Sequence, residues 1–327
     1  MRREVGRTVD NTEVVTTPLG HDIHSIDTLM SGYSGITAGY LIAGPRPCLV
    51  ETGTAKSAPA VQRALDVLGI GPNDLATIAV THIHLDHAGG VGDMARAYPN
   101  AEIVVHQRGA RHLADPSKLM SSARRVFGAL MDTVFGELTP TDALRIRAVD
   151  DEGEIDLGGG RTLRTYHSPG HAQHHVGLLD SESGDLYVGD AAGIFIPETG
   201  AIRPSTPPPD FDLDTALASL QHFADLGPQR LLFSHFGPVT RVGSALEEAA
   251  EELKVWVDLV RETRADALDL DHAVTMLRER TAQRYGRLYT DRELDEKFEV
   301  LNSTAANING INRWLDQLEE QQAASSS

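Results

Sequence analysis

The sequence holds a single cysteine, Cys48, in 327 residues, so no disulfide can form within the chain and a thiolate metal cluster is excluded. Cys48 lies in the apolar run Pro47-Cys48-Leu49-Val50 and reads as a buried structural thiol. Positive charge is also scarce: 29 Lys and Arg stand against 47 Asp and Glu, a formal net charge of −18. Such a surface argues against nucleic acid or an anionic membrane as the main partner, although a bound metal ion can still make one pocket locally positive. No run approaches the roughly 18 continuous apolar residues of a membrane span. The polar residues 1–11 lack the apolar core of a signal peptide, so a cytoplasmic location is expected. There is no G-x-S-x-G elbow and no G-x-x-x-x-G-K-[ST] loop, which leaves serine hydrolysis and nucleotide binding unsupported. Gly158-Gly159-Gly160 reads as a hairpin turn instead of a phosphate cradle.

What is present suffices for a packed core, with 41% hydrophobic and 23% charged residues. Strand-like runs at 13–18, 22–28 and 36–43 open the chain, the last pairing with 46–50 as a hairpin. Helical spacing at 58–68 is followed by an apolar strand at 76–81 that ends at His82. Gly89-Gly90 leads into a further helix, and 102–106 is the next strand. This alternation predicts an α/β fold. Residues 109–142 are helical but less regular, an insertion that covers something. Strands resume at 143–149, 162–166, 175–179 and 185–188, separated by turn-rich 156–160 and 181–185. Residues 204–210, with four prolines, read as a surface loop, before a helix at 213–226 and a strand at 230–233. From Ser244 onward the pattern is helical, with capping boxes expected at Ser244/Glu247 and Thr290/Glu293 and a polar tail at 323–327. A catalytic domain over residues 1–242 and a helical extension over 243–327 are therefore expected.

Chemistry concentrates in Thr81-His82-Ile83-His84-Leu85-Asp86-His87-Ala88-Gly89-Gly90. Four potential ligands fall within six positions, at the end of a buried strand. On an extended stretch His82 and His84 point to one side, and the following turn brings Asp86 and His87 round to a neighbouring position. That offers a pair of ligands to each of two ions. Imidazole and carboxylate suit zinc, iron or manganese. A lone histidine is more often solvated or hydrogen-bonded, but four ligands at one strand end favour metal. Three further candidates sit where strands leave the core: His171 after Ser168-Pro169-Gly170, Asp190 after Tyr187-Val188-Gly189, and His235 after Leu232-Phe233-Ser234.

The ordered set His82-x-His84-x-Asp86-His87, His171, Asp190 and His235 resembles the metal-binding signature of the metallo-β-lactamase superfamily, over roughly residues 16–238. The resemblance implies a four-layer αββα sandwich with two metals at one edge of the paired sheets. It assigns His82, His84 and His171 to the first metal and Asp86, His87 and His235 to the second, with Asp190 bridging. Histidine at both early positions and an aspartate bridge are more similar to the glyoxalase II and lactonase branches than to true β-lactamases. Glu51 stands where many relatives carry aspartate in a D-T-G turn, a supporting position. No glutathione-contact motif matches in the C-terminal helices.

Two divalent ions, zinc first with iron or manganese as alternatives, imply hydrolysis by a bridging hydroxide, because a metal lowers the pKa of bound water to about 7. Asp86 and Asp190 are the expected catalytic residues, offsetting the metal charge and positioning the nucleophile. The expected substrate is a small molecule with a thioester, ester or lactone, without nucleic-acid or membrane partners, and the chain can form a homodimer. The rivals are a phosphodiesterase on the same site, a mononuclear iron persulfide dioxygenase and a non-catalytic metal-binding sensor. Redox chemistry at an iron pair would call for a flavodoxin-like partner domain, which the sequence lacks. His174 and His175 either line the pocket or support the ligands, or else begin the next strand and pack. His21, His24, His106, His112, His167, His222 and His272 belong to no constellation. Lys118, Arg124 and Arg125 read as a solvated helix face or a clamp for an anionic group. Specificity is expected in residues 109–142, 194–209 and the C-terminal helices.

Overall fold

A computed structural model describes residues 14–325; the polar stretch 1–11 and the last two residues of the expected tail lie outside them. The chain divides into two compact units. The first is drawn from Met1–His167, His174–Gly189 and Pro228–Thr240, the second from Ser168–Gln173, Asp190–Gly227 and Arg241–Ser327.

The first unit is built on two sheets. Strands β1 (Thr16–Gly20), β2 (Ile23–Asp27), β3 (Ala38–Ile42), β4 (Cys48–Val50), β5 (Thr77–Ala79), β6 (Glu102–His106) and β7 (Ile146–Val149) lie side by side in chain order. Pairing is antiparallel as far as β4 and parallel from there to β7. Parallel neighbours need crossovers, supplied by helix α1 (Ala58–Val67), then α2 (Leu85–Ala88) with α3 (Val91–Ala97), then α4 (Gln107–Ala114) with α5 (Ser117–Phe127). The second sheet uses β8 (Glu152–Gly158), β9 (Arg161–His167), β10 (Val176–Asp180) and β11 (Asp185–Gly189). After a hairpin of the second unit, β12 (Ile194–Ile196) with β13 (Ala201–Arg203), come β14 (Arg230–Phe233) and β15 (Gly237–Val239). Its order is β15-β14-β11-β10-β9-β8.

Strand β8 was not expected, because its turn-like Asp156–Gly158 end and outward Glu152, Glu154 and Asp156 hide a pair of inward residues, Ile155 and Leu157. The three glycines close the β8–β9 hairpin as expected. Ile23, Tyr40, Val50, Val104, Leu163 and Leu232 interlock between the sheets. Each large apolar side chain buried there contributes about 1.5–3 kcal/mol. Cys48 sits in this core, and burial pushes its thiol up to about 12.

The second unit holds α6 (Leu213–Asp225), α7 (Val242–Ala265), α8 (Leu270–Tyr285), α9 (Arg287–Thr290), α10 (Arg292–Leu301) and α11 (Thr304–Ser325). The apolar face of α7, from Leu246 through Trp256 to Val260, is buried. Neither expected capping box forms. Helix α7 starts two residues before Ser244, whose hydroxyl donates to Arg241 O at 3.2 Å. At α10, Asp291 takes the cap and accepts from Leu294 N at 3.3 Å, a carboxylate displacing the neighbouring Thr290 hydroxyl. The long final helix is two, α10 and α11, separated at Asn302, which donates to Pro204 O at 2.9 Å. The proline-rich 204–210 is not wholly a surface loop: Pro204 and Thr206 are buried. Thr206 N donates to Asn307 Oδ1 at 2.6 Å, and a Cβ on Gly310 would stand 1.7 Å from Thr206 O. Only glycine lets α11 approach this closely. The fold is α/β, a four-layer αββα sandwich with a C-terminal helical extension.

Candidate metal centre

The apolar strand β5 ends at Ala79, and the next residues leave the sheet at its edge. His84 keeps an extended conformation (φ −63°, ψ 151°) just before α2, so Asp86 and His87 ride on one helical turn. His82 and His84 come side by side, with Nε2 of the first 3.0 Å from Nδ1 of the second. His87 Nε2 stands 3.1 Å from Nε2 of His235, which follows β14. Asp86 Oδ2 lies 3.5 Å from each of those two nitrogens. His82, His87 and His235 are buried, and Asp86 reaches the surface at its edge.

The backs of these rings decide which nitrogen faces inward. His235 Nδ1 lies 3.1 Å from Ile36 O, and since a carbonyl can only accept, the ring proton sits on Nδ1. Thr81 stands between His82 and Glu51: its hydroxyl donates to Glu51 Oε1 at 2.5 Å and therefore accepts from His82 Nδ1 at 3.0 Å. Glu51 Oε1 also takes Thr81 N at 3.2 Å and lies 3.6 Å from His87 Nδ1. Glu51 is 1% exposed and holds a left-handed φ of 66°, an uncommon conformation for a side-chain-bearing residue. The glutamate thus stands behind the His82 ring through the Thr81 hydroxyl, with His87 Nδ1 next to it. His82 and His235 turn their Nε2 lone pairs inward, each within 3.1 Å of another imidazole nitrogen. Each faces a nitrogen whose role is set by its own tautomer: a hydrogen-bond donor where it carries the proton, a second ligand for a shared cation where it does not. Two nitrogens each about 2.1 Å from one tetrahedral ion stand roughly 3.4 Å apart, a little more than these spacings.

In the second unit, His171 and Asp190 meet, with His171 Nε2 3.6 Å from Asp190 Oδ2. His171 Nδ1 lies 3.0 Å from Ser205 O, which again places the proton on Nδ1 and turns Nε2 toward the carboxylate. Ser205 Oγ donates to Asp190 Oδ2 at 3.1 Å. A small pocket beside this pair is walled by Ala191, Ala192, Ile202, Pro204, Phe211 and Leu253. Asp190 follows Gly189, whose φ is +51° and whose missing Cβ would lie 2.3 Å from His175 Nε2 and 2.6 Å from Thr81 Oγ1.

His175 is fully buried, 5.1 Å from the His82 ring, whereas His174 is half-buried beside Ile83. Arg124 pairs with Glu137, Arg125 with Ser122 on its own helix, and Lys118 is exposed, as a solvated helix face requires. One grouping escaped sequence reading: His106, Asp151 and His167 converge from β6, the β7–β8 turn and β9. The rings of His106 and His167 stack at 4.4 Å and 3°. Burial and the neighbouring His167 and Arg108 charges lower the His106 pKa. His106 Nδ1 accepts Arg108 N at 3.4 Å, so its proton sits on Nε2, 3.8 Å from Asp151 Oδ1, while His167 Nδ1 stands 3.2 Å from the same oxygen. That group suits a hydrogen-bonded clasp.

The sequence profile of the Metallo-beta-lactamase superfamily matches residues 35–235. The chain belongs to the metallo-β-lactamase superfamily. A metallo-beta-lactamase fold-containing protein of Sulfurisphaera tokodaii is 31% identical over 191 residues, covering 56% of this chain and 70% of that one. An N-acyl homoserine lactonase of Azorhizobium caulinodans is 30% identical over 112 residues, 34% of this chain and 38% of that one. The crystal structure of a metallo-beta-lactamase family protein from Thermus thermophilus superposes with a TM-score of 0.61 at 21% identity. It covers 94% of this chain and 93% of its own, a likeness of fold alone. Histidine and aspartate groups of this chain suit the divalent metals that superfamily members bind. Among the described residues no helix is long and apolar enough to cross a membrane.

Proposed function

We propose that this protein is a metal-dependent hydrolase of small carboxylic esters, thioesters or lactones. His82, His84 and His171 hold one divalent ion, Asp86, His87 and His235 hold a second, and Asp190 bridges them. The observation that carries this reading is the facing of ring nitrogens: His82 with His84 at 3.0 Å and His87 with His235 at 3.1 Å, the outer nitrogens of His82 and His235 held from behind. The order of the ligands along the chain, matching the superfamily signature, supports bringing His171 and Asp190 to the same centre.

When bound, such ions supply an acidified water and an electrophile for a carbonyl oxygen at neutral pH. The chain's own residues do the rest. Asp86 and Asp190 neutralise part of the metal charge, and Asp190 is oriented by Ser205. Glu51 and Thr81 fix the ring of His82, and the Ile36 carbonyl fixes His235, so no reorganisation is needed when the reaction begins. The side chains beside His171 and Asp190 are mostly aliphatic, which favours an uncharged carboxyl substrate over a polyanion. The lactonase relative, by its name, points the same way.

The test loads the purified chain with zinc, cobalt or manganese and measures metal content, then turnover of thioesters, aryl esters, lactones and a phosphodiester. About two equivalents of metal with turnover of a carboxyl substrate, lost in Asp190→Ala, are expected. Turnover confined to the phosphodiester would overturn the bond assignment, and a single tightly bound iron would overturn the binuclear reading.

A further inference from the structure

His174 stands next to the buried His175. His174 is half-buried, and two backbone contacts lay its segment against the ligand segment. Val176 N donates to Thr81 O at 2.8 Å, and Ile83 N donates to His174 Nδ1 at 3.4 Å. This pairing sets His174 opposite Ile83, the residue between His82 and His84. Its ring stands edge-on to His84 at 5.9 Å and nearly parallel to His82 at 6.2 Å. Gly109 makes the room: a Cβ there would meet Ile83 Cγ2 at 2.8 Å and His174 Cβ at 3.8 Å.

A backbone N–H can only donate, so Nδ1 of His174 presents its lone pair, and in the neutral ring the proton sits on Nε2. The ring is therefore fixed as a donor at its far end, next to the ions that His82 and His84 are proposed to hold. We propose that His174 donates an Nε2 hydrogen bond to the carbonyl oxygen of the substrate and to the oxyanion that replaces it. This rests on the hydrolase reading. As hydroxide adds to the carbonyl carbon, the π pair moves onto oxygen, and the hydrogen bond to that oxygen strengthens. No proton is transferred, and His174 stays neutral throughout.

His174→Phe keeps the ring volume and removes the donor, and His174→Gln restores an N–H of similar reach. On the metal-loaded protein, metal content is expected to stay unchanged in both. In His174→Phe, kcat falls by about 10–100-fold with KM within threefold, and His174→Gln recovers most of the loss. A second readout needs no turnover: methylphosphonate, a tetrahedral oxyanion, is titrated against the cobalt(II)-loaded protein by visible absorption. Binding about tenfold weaker in His174→Phe and near normal in His174→Gln is the expected result. Equal affinity and equal kcat in all three proteins overturn the proposal and leave the hydrolase reading standing. Loss of metal in His174→Phe also overturns it, because His174 would then support the ligands. Failure of every substrate, with methylphosphonate binding still dependent on His174, would sink the hydrolase reading while the hydrogen bond to a bound oxyanion stood.

Discussion

Both units bury dense groups of polar side chains, yet the two groups are wired in opposite ways. In the second unit Arg203, fully buried over the Trp256 ring, donates to Glu299 at 3.0 Å and to Thr304 at 2.6 Å. Thr206 donates to Asn307 through both its N–H and its hydroxyl, and Tyr285 accepts from Trp256 Nε1 at 3.0 Å and donates to Glu252 at 2.6 Å. Each donor atom just named meets an acceptor, although Nε and Nη1 of Arg203 are buried without one. In the first unit the donors of His82 and His235 point outward, to Thr81 and Ile36, and the inner face sets ring nitrogen against ring nitrogen beside Asp86. A matched group holds a fold together. A face of ring nitrogens beside a carboxylate is one that a cation can fill. The His106, Asp151 and His167 group lies between the two kinds: Asp151 stands 3.2 Å from His167 Nδ1, while the buried His106 Nε2 is 3.8 Å from it.

If that contrast is right, damage to the two groups separates metal from stability. The largest effect is expected for His87→Ala together with His235→Ala: roughly one metal equivalent and all measurable turnover are lost, with the fold retained by circular dichroism. Glu51→Gln removes the carboxylate behind the rings and lowers metal affinity by about 10–100-fold in a competition titration, with a modest loss of stability. Arg203→Met does the reverse, leaving Glu299 with Arg278 as its remaining cation at 3.2 Å. It destabilises by about 3 kcal/mol in urea unfolding while metal content stays at the native value.

Glu299 also gives a pH signature. Burial opposes its ionisation, but Arg203 and the bonds from Thr304 outweigh burial and hold the carboxyl below its usual 4.5. The stability it contributes is present above about pH 4.5 and is lost as pH falls through its lower folded value. Urea titrations between pH 6 and 3 should show that loss, shallower in Arg203→Met. The smallest effect is a silence: Cys48, its thiol pushed up to about 12 by burial, should resist a thiol reagent at pH 8 until the protein is unfolded. Rapid labelling of the folded chain would mean that the inter-sheet core opens far more often than its packing implies.

Much of this was legible in the residues. The apolar run ending at His82, the glycine before Asp190 and the strand before His235 each mark a chain leaving the core, where ligands belong. The alternation of strand and helix marked the α/β class. What stayed hidden depends on partners distant in sequence. Strand β8 looked like a turn because its outward face is acidic. Residues 204–206 looked exposed because prolines usually are, until α11 covers them with Gly310 against Thr206. His106 and His167 lie 61 positions apart and meet only through the pairing of two sheets. His174 reads as one of two adjacent histidines, and only its bond from Ile83 separates it from the buried His175.

The central claim, that the face of ring nitrogens holds ions, is tested most directly by following thermal stability and metal content together while a chelator strips the purified protein. The account predicts about two equivalents of divalent metal lost in step with a fall in the melting temperature, both restored by zinc. A protein that binds no metal, and melts at the same temperature with or without chelator, would contradict it.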